Sequence, residues 1–202
     1  MAQIVGIVGS YRKEGVTDTV VTQLLELVGR AGKSTRKIYL QDCDIAFCTN
    51  CRACMQPAGQ VRVPCAIYND DAEEVLQALE RSDGFVIGAP INMGHINALT
   101  QKFVERSVGF GYWPWGTQRG PKLRDNTTRH KAVLVSTSAA PAMMNSRLFG
   151  VSAIPALKRF ARLTGAEVVS QIKVGQVTDE KTVLSNRTEV KIARAARKLS
   201  RA

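Results

Sequence analysis

Four of the five cysteines fall within 18 residues, as Cys48-x-x-Cys51-x-x-Cys54 followed by Cys65. A protein that keeps its thiols reduced gains little from disulfides, so this clustering points to metal, cluster or redox chemistry. The tight run can wrap three irons of a 4Fe-4S cubane, with the more distant Cys65 closing the fourth corner. Four thiolates equally suit tetrahedral zinc, and a third reading leaves the thiols unfilled. The lone Cys43 reads as a small packed residue. Arg52, inside the run, reads as a solvated loop arginine, with a docking charge for an acidic partner as the alternative.

The segment Gly9-Ser10-Tyr11-Arg12-Lys13-Glu14-Gly15-Val16-Thr17-Asp18-Thr19 lies between an apolar strand pattern and an apolar helix pattern. Its glycines permit a tight turn, and Ser10, Thr17 and Thr19 offer hydroxyls. Arg12 offers a charged fork, and the free N–H groups opening the helix point into the loop. That donor set fits a terminal phosphate. No Gly-x-Gly-x-x-Gly and no Gly-Lys-Ser/Thr is present, so a mononucleotide such as FMN matches better than a dinucleotide or a nucleoside triphosphate. The plainer alternative is a strand-to-helix loop whose Thr17 caps the helix.

Two later loops have a composition suited to a flat ring. Gly88-Ala89-Pro90-Ile91-Asn92-Met93-Gly94-His95-Ile96 can present backbone amides from Asn92, Met93 and Gly94. The small residues of Thr137-Ser138-Ala139-Ala140-Pro141-Ala142 allow close backbone approach, an ordinary strand-to-helix turn being the equal alternative. His95 reads as a polar contact at the cofactor rim ahead of a general acid, and His130 as a surface residue. No residue of these loops is assigned as catalytic, since a positioned general acid must also meet strict geometry.

The elements that must position these loops follow from periodicity. Apolar runs rich in Val and Ile alternate with helical patterns, the signature of βαβ units around a parallel sheet. Strands are expected at Gln3–Val8, Arg36–Leu40, Gly84–Gly88, Lys131–Ser136 and Glu167–Val174. Helices are expected near Thr17–Arg30, Asp70–Arg81, Asn97–Ser107, Ala153–Leu163 and Thr188–Ser200. Ile4-Val5-Gly6-Ile7-Val8 and Phe85-Val86-Ile87 are too uniformly apolar for a sheet with one wet face. The expected architecture is a three-layer, doubly wound α/β fold with a five-stranded parallel sheet in the flavodoxin-like order 2-1-3-4-5, ligands binding beyond the carboxyl ends of the strands. The chain reads as a single domain over 1–202, with a cysteine-rich loop at about 43–66 and a basic helix at about 187–201.

Composition excludes some classes and raises one. With 45% hydrophobic and 22% charged residues the chain resembles a globular protein rather than a disordered one. No apolar run approaches the roughly 18 residues of a membrane span, and no signal-peptide pattern opens the chain, so a cytoplasmic protein off the membrane is expected. The 28 Lys and Arg against 17 Asp and Glu give a formal charge of +11, and from Lys181 onward seven positives face one negative. A basic tail can neutralise nucleic-acid phosphates. No aromatic residue is interleaved with it, so a solvated helix face is the preferred reading, with Val190, Ala193, Ala196 and Leu199 as its packed stripe. Phe110-Gly-Tyr112-Trp113-Pro114-Trp115-Gly116 places both tryptophans in one loop: an interface, a lid or a satellite core.

The loop from Gly9 to Thr17 resembles the glycine-serine-proline-arginine-lysine-x-glycine-asparagine-threonine loop of the NAD(P)H-dependent FMN reductase and iron–sulfur flavoprotein superfamily, with Tyr11 and Val16 at the proline and asparagine positions. The resemblance implies phosphate contacts at Ser10, Arg12, Val16 (through its amide) and Thr17. The second loop is similar to the family's proline-x-tyrosine-x-glycine loop through Pro90, Gly94, Phe103 and Arg106, with Asn92 in the aromatic position and Glu105 standing for the aspartate of an aspartate–arginine pair. Pro90, Ile91, Asn92, Met93 and Gly94, with Thr137 and Ser138, would border the ring. The iron–sulfur flavoproteins carry a compact cysteine motif in the segment of Cys48, Cys51, Cys54 and Cys65, ahead of a paired aspartate like Asp70-Asp71. The resemblance implies an FMN-binding oxidoreductase with NAD(P)H as cosubstrate, passing electrons to an acceptor, in a homo-oligomer (dimer or tetramer). The alternatives are an iron–sulfur flavoprotein electron carrier with a 4Fe-4S cluster and a ferredoxin-like partner, and a basic regulatory or nucleic-acid-binding module.

Overall fold

A computed structural model of the chain describes residues 3–144, 150–179 and 182–201; Lys181 of the basic tail lies outside them. Five strands form the main sheet: β1 (Gln3–Val8), β2 (Ser34–Tyr39), β3 (Gly84–Asn92), β4 (His130–Thr137) and β5 (Ala166–Val174). They run parallel in the order β2-β1-β3-β4-β5, the doubly wound arrangement expected from the alternating pattern. The helices are α1 (Val16–Arg30), α2 (Asp71–Glu80), α3 (Ala98–Arg106), α4 (Ala153–Leu163) and α5 (Asn186–Ser200).

Side chains alternate between two cores, which is why the strands read as continuous apolar runs. Ile4 and Val8 of β1, with Val86, Val133 and Val135, pack against α1 and α5. Val5 and Ile7, with Phe85, Ile87 and Leu134, pack against α2, α3 and α4. Phe160 of α4 stands edge-on to both Phe85 (5.9 Å between centroids) and Phe103 (5.6 Å). Gly6 brings α1 close to the sheet, since a Cβ there would lie 2.6 Å from Leu25 Cδ1.

Several boundaries differ from expectation. β3 runs on to Asn92 and turns into a hairpin with His95–Ile96, pairing Asn92 with His95. The turn residues Met93 and Gly94 have φ of 49° and 79°, the positive pair that a two-residue hairpin turn demands. β2 starts earlier, at Ser34, and releases Leu40 into a 3-10 turn; as an edge strand it exposes Ser34 to Lys37, and this polar stretch hid its start. α5 buries Ile192, Ala195, Ala196 and Leu199 while Val190 is exposed, so the packed stripe is rotated from the expected one. The bulkier Ile192 anchors it. His130 is half-buried, its Nδ1 2.6 Å from the Ser82 carbonyl oxygen, rather than a free surface residue.

Candidate functional site

The loop following β1 is tied to its neighbours by backbone. Gly9 N–H donates to the Gly88 carbonyl at 2.8 Å, and Gly9 O accepts from Asn97 Nδ2 (2.7 Å) and Thr100 Oγ1 (3.1 Å) at the start of α3. Gly9 must be glycine, because a Cβ would sit 2.0 Å from Thr100 Oγ1. α1 begins at Val16 with Gly15 as its N-cap, and Gly15 has no side chain to bond the first-turn N–H groups. These N–H groups and the positive end of the helix dipole are therefore offered to a ligand. Thr17 is not the cap: its hydroxyl lies 2.7 Å from that of Thr137, joining α1 to the end of β4. The capping alternative for Thr17 is thereby overturned.

Beneath this loop sits Asp18, 2% exposed. Its carboxylate accepts from Glu14 N–H (2.8 Å), Tyr39 OH (2.9 Å), Thr22 Oγ1 (3.0 Å) and Lys37 Nζ (3.1 Å). Burial alone would raise its pKa, but the hydrogen bonds from Glu14, Lys37, Tyr39 and Thr22 outweigh burial and hold it below the usual carboxylate range. The bond to Glu14 N–H fixes that residue at a φ of 61° and with it the turn into α1.

An open cleft of ≈ 300 Å³ lies at the carboxyl edge of the sheet. It brings together Ser10, Arg12, Val16 and Thr17 from the first loop, Pro90 and Asn92 from the end of β3, and Thr137 from β4. Ser10 and Thr17 are buried, and Arg12 is exposed with its N–H bonded to Ser10 Oγ at 3.1 Å. Ile91, Met93, Gly94 and Ser138 are not among the residues lining this cleft. Ile91 packs on the core, Met93 stands 97% exposed at the hairpin tip, and Ser138 donates from its hydroxyl to Ala140 O. Tyr11 and Gly15, read in the first loop without a binding role, and Val177, not singled out at all, also line the cleft. Val177 follows β5, and no local pattern in its sequence marks it. The hairpin tip is pinned by Ser152, whose N–H donates to Gly94 O at 2.7 Å and whose hydroxyl pairs with His95 Nδ1.

The four clustered cysteines line a second, small cavity of ≈ 30 Å³, together with Arg52, Tyr68 and Arg106. Burial pushes the Cys54 thiol up, and Cys65, Cys48 and Cys51 push it in the same direction. Among the described residues no three Cys, His, Asp or Glu side chains converge closely enough to share a single metal ion. A tetrahedral zinc at about 2.3 Å from each sulfur would require sulfurs about 4 Å apart, an arrangement that the described side chains do not form. Cys43 packs half-buried against the core and donates to Tyr39 O.

This loop has almost no regular structure, and arginines hold it. Arg106 pairs with Asp70 and donates to Ala46 O at 3.0 Å, its side chain only 3% exposed. Glu105, expected to stand beside it in function, instead accepts from Gln101 Nε2. Asp70 caps α2 through Ala72 N–H and also accepts from Ala46 N–H at 2.9 Å. Burial opposes ionisation there, but Arg106 and these N–H donors prevail and lower its pKa. Arg124 donates to Gly109 O (2.8 Å), Cys54 O (3.0 Å) and Gly59 O (3.2 Å). Arg52 corrects its own reading as a solvated residue. Its guanidinium lies 3.7 Å from the Trp113 ring centroid and 4.0 Å from that of Trp115, with Nη2 donating to Trp113 O at 2.6 Å. The tryptophan loop thus packs on the cysteine loop, Trp113 N–H donating to Met55 O. No composition signal marks these long-range arginine contacts.

A doubly wound parallel sheet with this uncapped helix at its carboxyl edge defines a flavodoxin-like protein. A family model for NADPH-dependent FMN reductase matches residues 2–149, and the chain belongs to that family. Among curated relatives, an iron-sulfur flavoprotein of Methanocaldococcus jannaschii is 30% identical over 112 residues, 54% of this chain and 55% of that protein. An iron-sulfur flavoprotein of Archaeoglobus fulgidus is 26% identical over 110 residues, 54% of this chain and 47% of that protein. The alignments span about half the length of these relatives. In fold, the chain is similar to an FMN-dependent NADH-azoreductase from Bacillus anthracis in complex with FMN, with a TM-score of 0.70 at 14% identity, covering 99% of this chain and 100% of the other. An NADH:FMN oxidoreductase in its apo form gives 0.64 at 17% identity, covering 99% and 89%.

Proposed function

We propose that the protein is an FMN-binding, NAD(P)H-dependent oxidoreductase. The observation that carries this reading is the uncapped first turn of α1, flanked by Ser10, Arg12 and Thr17 in one cleft. Ser10 Oγ, the Arg12 guanidinium and the Val16 and Thr17 amides would hold the phosphate, a dianion suited to a helix N-terminus. Pro90, Asn92 and Thr137 would border the ring, with Ile91, Met93, Gly94 and Ser138 framing the hairpin and the strand end behind them. When bound, FMN supplies the redox chemistry, taking a hydride from the nicotinamide and passing electrons to an acceptor. The chain's own part is to bind, orient and exclude water. His95, held by Ser152, serves as a polar rim contact. The protein works as a single-domain, cytoplasmic homo-oligomer; among the described residues no helix is long and apolar enough to cross a membrane.

A second reading is favoured by one observation, the four thiols around one cavity. Cys48, Cys51, Cys54 and Cys65 would hold a 4Fe-4S cluster, which supplies one-electron transfer to a partner such as a ferredoxin-like protein. Arg52 and Arg106 on the cavity wall would offset its negative charge. The relatives' designation as iron-sulfur flavoproteins agrees with this donor set.

The test is anaerobic purification with flavin and iron quantified, followed by NADH and NADPH oxidation assays. FMN without iron and with nicotinamide oxidation supports the reductase. FMN with about four irons per chain supports the carrier, and absence of both groups after reconstitution refutes both readings.

A further inference from the structure

The cleft at the carboxyl edge of the sheet has one aromatic wall. Among the described residues that line it, Tyr11 alone is aromatic. Its neighbours Ser10 and Arg12 belong to the phosphate end, whereas its own side chain reaches across to α3, where its hydroxyl accepts the Leu99 N–H at 3.1 Å. That N–H belongs to the first turn of α3, one of the donors a helix cannot satisfy internally. The loop stem is fixed to the same turn through Gly9 O, which accepts from Asn97 and Thr100. The phenol is thus tethered at both ends, yet the residue is 56% exposed. A fixed, half-exposed ring has already given up its rotamer freedom, so stacking a flat partner on it costs little further ordering.

We propose that Tyr11 is the stacking platform for the heteroaromatic ring of the bound mononucleotide. Asn92, from the hairpin on the other side, meets the ring edge by hydrogen bonding, so that the aromatic contact comes from the first loop and the polar one from the second. This rests on the flavin reading of the cleft and assigns the ring's position within it. The loop then divides its labour by residue: Ser10 and Arg12 recognise the phosphate and Tyr11 recognises the ring.

The division is tested with two ligands, FMN and riboflavin, the second lacking the phosphate. Tyr11→Leu should weaken both by a similar factor, about two- to tenfold for one aromatic contact, and should raise the fluorescence of the bound flavin. Tyr11→Phe, which keeps the ring but gives up the tether to Leu99 N–H, should lose clearly less than Tyr11→Leu for both ligands and keep the quenching. Arg12→Ala should weaken FMN alone. Unchanged riboflavin affinity and fluorescence in Tyr11→Leu overturn the proposal. So does a Tyr11→Phe variant that loses as much as Tyr11→Leu, because the hydroxyl grip on α3 would then be the whole effect. Thermal melts of both variants show whether the fold survives, and Tyr11→Phe keeps the test decisive where Tyr11→Leu unfolds. A wild-type protein that binds neither flavin overturns the flavin reading itself; one that binds FMN while the variants stay silent overturns only the role of Tyr11.

Discussion

The loops following β1 and β2 leave neighbouring parallel strands at the same edge of the sheet, but they are built on opposite principles. The first is short and set by backbone: Gly9 bonds Gly88 across the sheet, and Gly15 opens α1 directly. The second runs from Cys43 to Asp70 with a single 3-10 turn after Leu40–Asp42, at Ala53–Met55. Without a ladder or helix its carbonyls need other donors, and arginines supply them. Arg106 serves Ala46 O, and Arg124 serves Cys54 O and Gly59 O. Arg62 clamps Glu73 and Glu80 at the border of the loop. Part of the +11 charge is therefore scaffold rather than an invitation to anions, and a net charge read from composition overstates what is left for ligands.

If that contrast holds, the largest stability effect comes from the arginine-built loop. Arg106→Ala leaves the Asp70 carboxylate, at 11% exposure, without its cation. Removing one partner of a buried pair costs about 3–5 kcal/mol. Chemical denaturation should show that loss, together with faster proteolysis between Cys43 and Asp70. A variant as stable as wild type would mean that the cysteine loop is held by packing alone.

The complementary substitution acts on binding. Arg12 is exposed, and its backbone N–H bond to Ser10 Oγ does not depend on its side chain. Arg12→Ala should leave the melting temperature unchanged and weaken FMN about tenfold or more, as expected for a charge-assisted hydrogen bond of about 1.5–3 kcal/mol. Equilibrium titration of FMN measures it. A drop in stability without a drop in affinity would reverse the roles assigned to the two loops.

The same contrast explains what the sequence made legible. A parallel sheet buried on both faces followed from runs such as Ile4–Val8 and Phe85–Ile87, its order being the simplest doubly wound one, and the loop of Ser10, Arg12 and Thr17, which the structure places in one cleft, was visible because helix starts are local. The cysteines announced themselves by spacing. Arg124 did not, because its partners lie 15 to 70 residues away and are carbonyls, which every residue has, and Arg106 was marked only beside Glu105, whereas its partners are Asp70 and Ala46 O. Arg52 read as solvated for the same reason: the stack that buries it comes from Trp113 and Trp115, in a loop about 60 positions further on. The hairpin at Met93–Gly94 was missed because Pro90 looked like the end of a strand, though it pairs with Thr137 within it.

Acid should weaken both regions through carboxylates whose pKa values are depressed in the fold. Asp18 lies under the first loop, and Asp70 and Glu73 border the second. A carboxylate with a folded pKa below its unfolded value of about 4 contributes stability in full above that value and loses it as pH falls through the folded pKa. Asp18→Asn should therefore be less stable than wild type at neutral pH, with the gap closing below about pH 4. Melting temperatures across that range check it. A gap that stays constant with pH would show that Asp18 acts by shape, through Glu14 N–H, rather than by charge.

The smallest effect should come from the tryptophan loop. Trp115 is 64% exposed, and its ring and that of Trp113 both lie against the Arg52 guanidinium. An exposed cation–π contact is worth about 0.5–1 kcal/mol, so Trp115→Ala should cost no more than that while Arg52 keeps its bond to Trp113 O. Arg52→Lys retains the charge but gives up the planar fork that both rings stack upon and that donates to the Trp113 carbonyl. It should therefore cost more than Trp115→Ala and shift the emission of Trp113. An Arg52→Lys variant as stable as wild type would place the stabilisation in the charge rather than in the stack, and the cysteine loop would then owe less to geometry than its arginines imply.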